Sequence, residues 1–577
     1  MKTKRFVALV LALGMLALVC SGCGGSGAKT TTSETGSSMT DSTAENVNAP
    51  AAVQGSEKSD ESSEPTSAES TAEEIHLPIS EEPVTITVWD TANPGALQYC
   101  STMNDIPAWQ ESFERTNIYF DSTLVAGNVG NEAFSLMAAS GDYTDVVGSV
   151  QQFYSTGVSG AYHDGIIIDL KPYVDEYVPN FLRALEKCNF TKNALTDDGM
   201  LLAFVDLVEK KYAEAGYALR KDWLDELNMD APQTYDELHE VLTAMKNRFG
   251  GMMTLPESGL NGTNELIAGF GVSVLRTEND PQLSYIIEDG KVVPCRTSEG
   301  FREYLTLMHE WYAEGLIWPD FVSSEVQQAI STRPGAGLDA VINDVVGYFP
   351  AESEAVDSIA SMSSNPEFAL VGVEEPTRTR DETIRAKPEM RYGQIDWTIS
   401  TQCPEDLIPY ICQYVNYMYS DEGSLLCNFG IEGLTFEYDE NGKPVFTDLL
   451  MNDPEGRDFR TLDGVYLVGG LFFCSAEKLD ATTSEAAIDT ATVWRKDIVD
   501  SIVPSEYMAM TADESTEYYA KYNDIATYFN ESVLQFIIGT MDPDGSDWDN
   551  YVATMNRMGY EELTPIIQNM YDRYITR

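Results

Sequence analysis

Several residue types that could do chemistry sit together where a strand pattern breaks into a loop. Trp89 and Asp90 are followed by Asn93, Pro94 and Gly95, so an aromatic face, a carboxylate and an amide share one turn. A flat ring offers a stacking surface and the polar pair offers acceptors and donors, which is the equipment of a small-molecule cleft. The competing use of the same residues is a core tryptophan and a turn aspartate. A second group, Asp542, Asp544, Asp547 and Asp549, is dense in the oxygen ligands that calcium requires. Gly545 falls at the fourth position of that run and no EF-hand glutamate follows, so the spacing is that of a capped loop before a helix. His76, His163, His239 and His309 are far apart and no two of the seven cysteines from Cys100 to Cys474 have CxxC spacing, so no metal site is expected. There is no P-loop, GxSxG elbow or papain-like cysteine context, and no GxGxxG run between a strand and a helix, so no catalytic residue and no cofactor is assigned.

Charge narrows the partners. The 577 residues carry 36 Lys and Arg against 93 Asp and Glu, a net charge of −57. Such a chain repels phosphate backbones, which excludes sequence-independent nucleic-acid binding, and it is compatible with neutral or cationic ligands. With 43% hydrophobic and 10% aromatic residues it can bury a substantial core.

The elements that must position these residues begin late. Lys2, Lys4 and Arg5 precede an apolar run over 6–19 that is too short to span a membrane comfortably, the pattern of a signal peptide covering 1–22. Cys20-Ser21-Gly22-Cys23 resembles the bacterial lipobox, which implies that Cys23 is the lipid anchor; the alternative is a soluble secreted protein cut nearby. Residues 23–82 are rich in Ser, Thr, Ala and Glu and read as a disordered tether of about 60 residues, spanning on the order of 40 Å. Seven unclustered cysteines then remain from Cys100 to Cys474, which is no disulfide framework.

The folded body is expected over 83–577. Val84, Ile86 and Val88 alternate with threonines as a strand, 133–139 reads as a helix, and 145–148 reads as a short buried strand. Thr234 with Glu237 forms a capping box opening a helix that Gly250 ends, and its apolar stripe is core. A helix follows over 405–419, then a hairpin over 435–446 turning at Asn441-Gly442, and finally a helix capped by Thr564-Pro565. Strands alternating with helices indicate an α/β protein, and no internal repeat argues for a solenoid or propeller.

Four ordered motifs carry a resemblance to a family. Ser140-Gly141-Asp142-Tyr143-Thr144-Asp145-Val146-Val147 is similar to a strand motif of extracellular solute-binding proteins of the maltose-binding class, with Thr144 in place of the usual proline. The run 219–227 followed by 232–238, the run 417–423 followed by 428–433, and the segments 548–551 and 568–574 resemble that family's larger lipoprotein branch. The resemblance implies a two-lobed, periplasmic-binding-protein-like α/β fold with an interlobe hinge and a ligand cleft. It implies crossings near 217–221 and 395–401, with a third between about 450 and 500.

It also implies a function. The chain would be a lipid-anchored substrate-binding component of an ABC transporter on the extracellular face of the bacterial membrane. As a monomer and not an enzyme, it would deliver a carbohydrate, an oligosaccharide above all, to permease subunits. The cleft residues implied are Trp89, Asp90 and Asn93 from the first loop, Ser149 and Gln152 from the loop after Val146-Val147, and Tyr217 and Trp397 at the crossings, with the exposed face of Trp397 stacking on a sugar. The alternatives are a secreted glycoside hydrolase, which needs two carboxylates about 5–10 Å apart, a surface adhesion module, or a binding protein for a peptide or polyamine.

Overall fold

The computed structural model describes residues 75–577 apart from 155–156, 211–214, 256–265, 274–283, 323–335, 354, 386–392, 496–497, 500–502, 505–507 and 509. The signal segment, Cys23 and the tether as far as 74 lie outside the described residues. The last part of the expected tether does not: Ile75, Leu77 and Ile79 pack against the first core, and Ile79 N donates to Thr116 O at 2.9 Å.

Val84–Ala92 pairs in parallel with Ile118–Ala126 along its whole length, from Val84 opposite Ile118 to Ala92 opposite Ala126. Parallel neighbours need a crossover, and helix Pro107–Thr116 supplies it, burying Trp109 and Phe113. Val146–Val147 adds in parallel on the other side, and Thr398–Ile399 closes the edge antiparallel. A three-stranded sheet of Gly393–Ile395, Val205–Val208 and Phe473–Cys474 belongs to the same lobe. The second lobe is built on Leu370–Val373, Ala215–Arg220, Val346–Glu352 and Met252–Met253.

The helix of the capping box forms as expected: Thr234 accepts from Glu237 N, Glu237 accepts from Gln233 N, and Gly250 at φ 77° ends Tyr235–Phe249. The C-terminal helix differs from expectation. It runs Tyr560–Ile575 behind Gly559, whose φ of 97° turns the chain, so Pro565 lies inside it rather than at its start.

Two hydrophobic cores separate the lobes. One gathers Ile86, Trp109, Phe181, Leu207, Trp397, Tyr414 and Phe473; the other gathers Tyr217, Trp311, Tyr348, Tyr518 and Met570, with Ala491 and Trp494 on the far face of its sheet. The chain therefore changes core three times, between Leu207 and Tyr217, between Val373 and Trp397, and between Phe473 and Ala491. The first two expected crossings are displaced. Residues 217–221 already belong to the second lobe, where Tyr217 stacks on Tyr348 at 4.6 Å. Residues 395–401 already belong to the first lobe, with Ile395 and Trp397 on its core.

A tie outside these connections also joins the cores. Arg573 donates to Asp197 at 2.8 Å and, through two nitrogens, to both Glu514 oxygens at 3.0 and 2.8 Å. Arg577 adds bonds to Asp197 at 2.7 Å and Leu195 O at 2.5 Å, and Tyr574 donates to Asn193 at 2.9 Å. Residues 193–197 flank the first core and the arginines sit on a helix of the second. Burial alone would lift the Glu514 carboxyl, but the Arg573 and Thr511 hydrogen bonds hold it below its usual range.

Because this is a partly buried, bidentate network rather than an exposed pair, a double-mutant cycle over Asp197→Ala and Arg573→Ala should show coupling of about 1 kcal/mol in urea unfolding. The depressed Glu514 carboxyl contributes stability above its unfolded pKa and loses it as pH falls through the folded one, so the part of the Arg573 contribution that runs through Glu514 should fade in acid. Strictly additive single mutants at neutral pH would mean that the contact ties nothing.

Candidate functional site

The first strand delivers Trp89 and Asp90 to opposite faces of its sheet. Trp89 enters a small cluster under Phe134 and Phe153, edge-on to both at 5.7 and 6.4 Å. Asp90 points into the first core and is 1% exposed. The expected strand over 394–400 breaks in two, and the break explains what Asp90 meets. Gly393–Ile395 pairs with Val205–Val208 and Thr398–Ile399 pairs with Val146–Val147, so the chain changes sheets at Asp396-Trp397.

At that step the Trp397 indole Nε1 donates to Asp90 Oδ2 at 2.7 Å, and Thr91 N donates to Oδ1 at 2.7 Å. The Trp397 ring lies parallel to Trp109 at 6.1 Å and edge-on to Phe472 at 5.2 Å. Asp396, 4% exposed, accepts from Ser149 N at 2.6 Å. Ser149 is itself left-handed at φ 58°, which turns the chain into helix Val150–Phe153, and its hydroxyl lies 3.3 Å from that of Thr91. Gly148 is required here: a Cβ would come within 2.2 Å of Asp90 Oδ1. Asp206, from the neighbouring strand, accepts from Phe472 N at 2.6 Å and hydrogen-bonds Asp396.

Three carboxyls thus share one wall, Asp90 and Asp396 buried and Asp206 half-buried, and among the described residues none of them forms an ion pair. Burial, reinforced by mutual repulsion, raises Asp90 and Asp206 well above the ordinary carboxylate range, and burial also raises Asp396. All three shifts favour the protonated carboxyl, and a hydrogen bond joins Asp206 to Asp396.

The structure brings Trp89, Asp90, Ser149 and Trp397 into this one assembly. Asn93 and Gln152 stand in the loops just beyond it. Asn93 Oδ1 caps its own turn, accepting from Gly95 N at 2.7 Å, and Gln152 is exposed on its short helix. Two expectations need correction. Trp397 has no exposed face, being 2% exposed, because the change of sheet drives its ring between aromatic neighbours. Tyr217 is also buried, in the second lobe's core, where its carbonyl accepts from Trp494 Nε1 at 2.9 Å. Asp206, Asp396 and Thr91 were not singled out from the sequence; the signal for Asp206 is a lone acid inside the apolar run 201–208.

The hollows of the surface lie elsewhere. A groove of about 400 Å³ on the second lobe is lined by Tyr235, Phe270, Arg302, Arg378 and five acids, among them Glu310 and Asp544. A smaller one, about 110 Å³, adjoins Glu375, Thr377 and Trp494. The geometry of the buried wall carries more specific chemistry than either, since its polar groups converge while the groove's acids are largely paired to its arginines. At Asp542–Asp549 the carboxyls brace the loop, with Asp547 accepting from Asp542 N at 3.0 Å and Asp544 accepting from Thr306 at 3.2 Å, while Gly545 opens the following helix without a side-chain cap. Among the described residues no group of acids, histidines or cysteines could hold a metal ion.

Comparison with known proteins places this architecture. No family model matches the chain. It is 26% identical over 472 residues to lipoprotein LipO of Bacillus subtilis, covering 78% of this chain and 85% of that protein. It is 29% identical over 237 residues to the polygalacturonan/rhamnogalacturonan-binding protein YtcQ of the same organism, covering 40% of this chain and 45% of that one. The structure of the Streptococcus pneumoniae ABC-transporter substrate-binding protein FusA with kestose superposes with a TM-score of 0.65 at 18% identity, over 85% of this chain and 99% of that chain. The chain resembles the extracellular solute-binding lipoproteins and has their two-lobed α/β fold, and YtcQ and FusA are by name binding proteins.

The raised carboxyls yield a signed prediction. An acid whose folded pKa exceeds its unfolded value binds more protons when native, so its contribution to stability declines as pH rises from the ordinary carboxylate range toward the folded pKa. Asp206→Asn keeps an acceptor for Phe472 N and a donor for Asp396 without the charge. It should raise the melting temperature at neutral pH and flatten the decline between about pH 4 and 7. An unchanged pH profile would show that Asp206 is ionised in the native protein.

Proposed function

We propose that the chain is the substrate-binding component of an ABC importer, anchored at the outer face of the membrane through a lipid on Cys23, and that it captures an oligosaccharide by closing two lobes and hands it to permease subunits. The observation that carries this reading is the triple passage of the chain between two separate cores, which makes a hinge, with the strand-end loops of the first lobe grouped beside it. Ligands of open α/β sheets sit at the carboxyl ends of strands, where Trp89 to Asn93 and Ser149 to Gln152 lie. The names of YtcQ, a polygalacturonan/rhamnogalacturonan-binding protein, and FusA, a fructooligosaccharide ABC-transporter substrate-binding protein, support a carbohydrate.

In this mechanism Asn93 and Gln152 meet the ligand directly, since both stand in the loops beyond the wall and an amide can pair with adjacent hydroxyls as donor and acceptor. Thr91 and Ser149 present hydroxyls at the same edge. Asp90, Asp396 and Trp397 position these loops from beneath. Trp89 stiffens the first loop through Phe134 and Phe153. The protein acts as a monomer and without a cofactor.

Calorimetry of the full chain against a panel of oligosaccharides and a panel of polycations tests the ligand class. Gln152→Ala should weaken sugar binding about tenfold, the worth of one hydrogen bond to a neutral group, without moving the melting temperature. Strong, salt-sensitive spermidine binding with no response to any glycan would overturn the sugar assignment, and release of reducing ends from a bound glycan would replace it with hydrolysis.

The anchor is tested separately. Cys23→Ala should release the protein from cell membranes while leaving its circular dichroism unchanged. Retention of the variant on membranes after a high-salt wash would assign attachment to something other than that lipid.

A further inference from the structure

Away from the cleft, the second lobe buries a positive charge with no negative partner. Arg296 follows strand Lys291–Pro294 and is 2% exposed. Its Nε donates to Ser284 Oγ at 3.0 Å and its Nη2 to the Tyr522 hydroxyl at 3.2 Å, and the guanidinium lies 4.2 Å over the Phe529 ring. Nη1 is buried without a hydrogen-bond partner. Among the described residues no carboxylate forms an ion pair with it.

Three more buried hydroxyls stand nearby, those of Tyr285, Tyr518 and Thr564; among the described residues none has a partner of good hydrogen-bond geometry, and those of Tyr285 and Thr564 face one another, so that if one donates to the other a hydroxyl hydrogen of the pair stays free. They belong to the same neighbourhood. The Tyr518 ring stacks on Tyr522 at 5.3 Å, and Tyr285 packs at 6.1 Å from Tyr560, whose hydroxyl meets Arg296 N at 3.3 Å. Thr564 lies against the Tyr285 hydroxyl from the helix Tyr560–Ile575. The arginine can only donate, and the hydroxyls are free to rotate toward an acceptor. Burial keeps the tyrosines protonated, so none of them supplies the missing negative charge.

We propose that Arg296 Nη1, with the hydroxyls of Tyr285, Tyr518 and Thr564, binds a small monovalent anion of the chloride class inside the second lobe. One unpaired cation calls for one negative charge, and donors arriving from a strand, a loop and two helices suit a spherical acceptor with no directional preference. A water molecule would accept from two of these donors at most and would leave the guanidinium unneutralised. The net charge of −57 makes it costly to bring an anion near, so occupancy depends on local donors and not on the long-range field. The site is independent of what the cleft binds.

A ligand that binds only the native state raises stability with the logarithm of its concentration. Thermal unfolding of the full chain should therefore shift upward by several degrees as gluconate is replaced by chloride at constant ionic strength. Arg296→Met should abolish the shift. Should that variant fail to fold, crystals of the unaltered protein soaked in bromide should show an anomalous peak within hydrogen-bond distance of Arg296 Nη1. A melting temperature indifferent to chloride together with no bromide peak, or a chloride shift that persists in Arg296→Met, would overturn the proposal.

Discussion

The hydrogen bond from the Trp397 indole to Asp90 holds together the part of the first lobe from which everything else at the cleft hangs. It forms at the point where one stretch of chain leaves the sheet containing Val205–Val208 and joins the sheet containing Val84–Ala92. Neither partner has an easy alternative. An indole N–H stacked on Trp109 has no access to water, and a carboxyl at 1% exposure would be left unsatisfied without it. Because each group is fixed by the other, both strand-end loops inherit the geometry: Thr91 closes onto the same carboxyl, and Gly148 is held against it.

This joint also explains why acids and not bases line the wall. A buried ammonium or guanidinium would attract a counter-charge and close the site with a salt bridge. Carboxyls can instead be neutralised by keeping a proton, as the raised values of Asp90, Asp206 and Asp396 indicate. The Asp206–Asp396 hydrogen bond joins the strand Val205–Val208 to the step at Asp396-Trp397, so the acids brace the strand ends from beneath.

The fold was readable from short-range physics. Alternating valine and threonine over 84–88, the capping box at Thr234, and the Asn441-Gly442 turn each report a local preference, and each element forms where that preference put it. The site was readable only in part. Trp89, Asp90 and Ser149 were visible because they end strands. The burial of Trp397 was not, since it depends on a change of sheet between residues nearly two hundred positions apart from their partners in sequence. Tyr217 was misplaced for a related reason: in the sequence Glu209, Lys210, Lys211 and Glu214 interrupt the apolar pattern ahead of the strand, and a motif aligned by family pattern slid past them. Pro565 misled because a glycine with positive φ can start a helix where no side-chain cap is present.

Closure adds a constraint that no single lobe reveals. A ligand can shift the balance between lobe arrangements only by its difference in affinity for them. Any contact between lobes outside the three crossings therefore enters the apparent affinity for the ligand, although it touches no ligand atom. Asp197 is such a contact, held by Arg573 and Arg577 across the boundary between the two cores. The proposed ligand-contacting hydroxyls and amides at the first lobe's strand ends are thus separate in space from the charged network on the last helix that bridges the two cores. A sequence could thus retune affinity at residues 193–197 and 573–577 without altering which ligand is recognised.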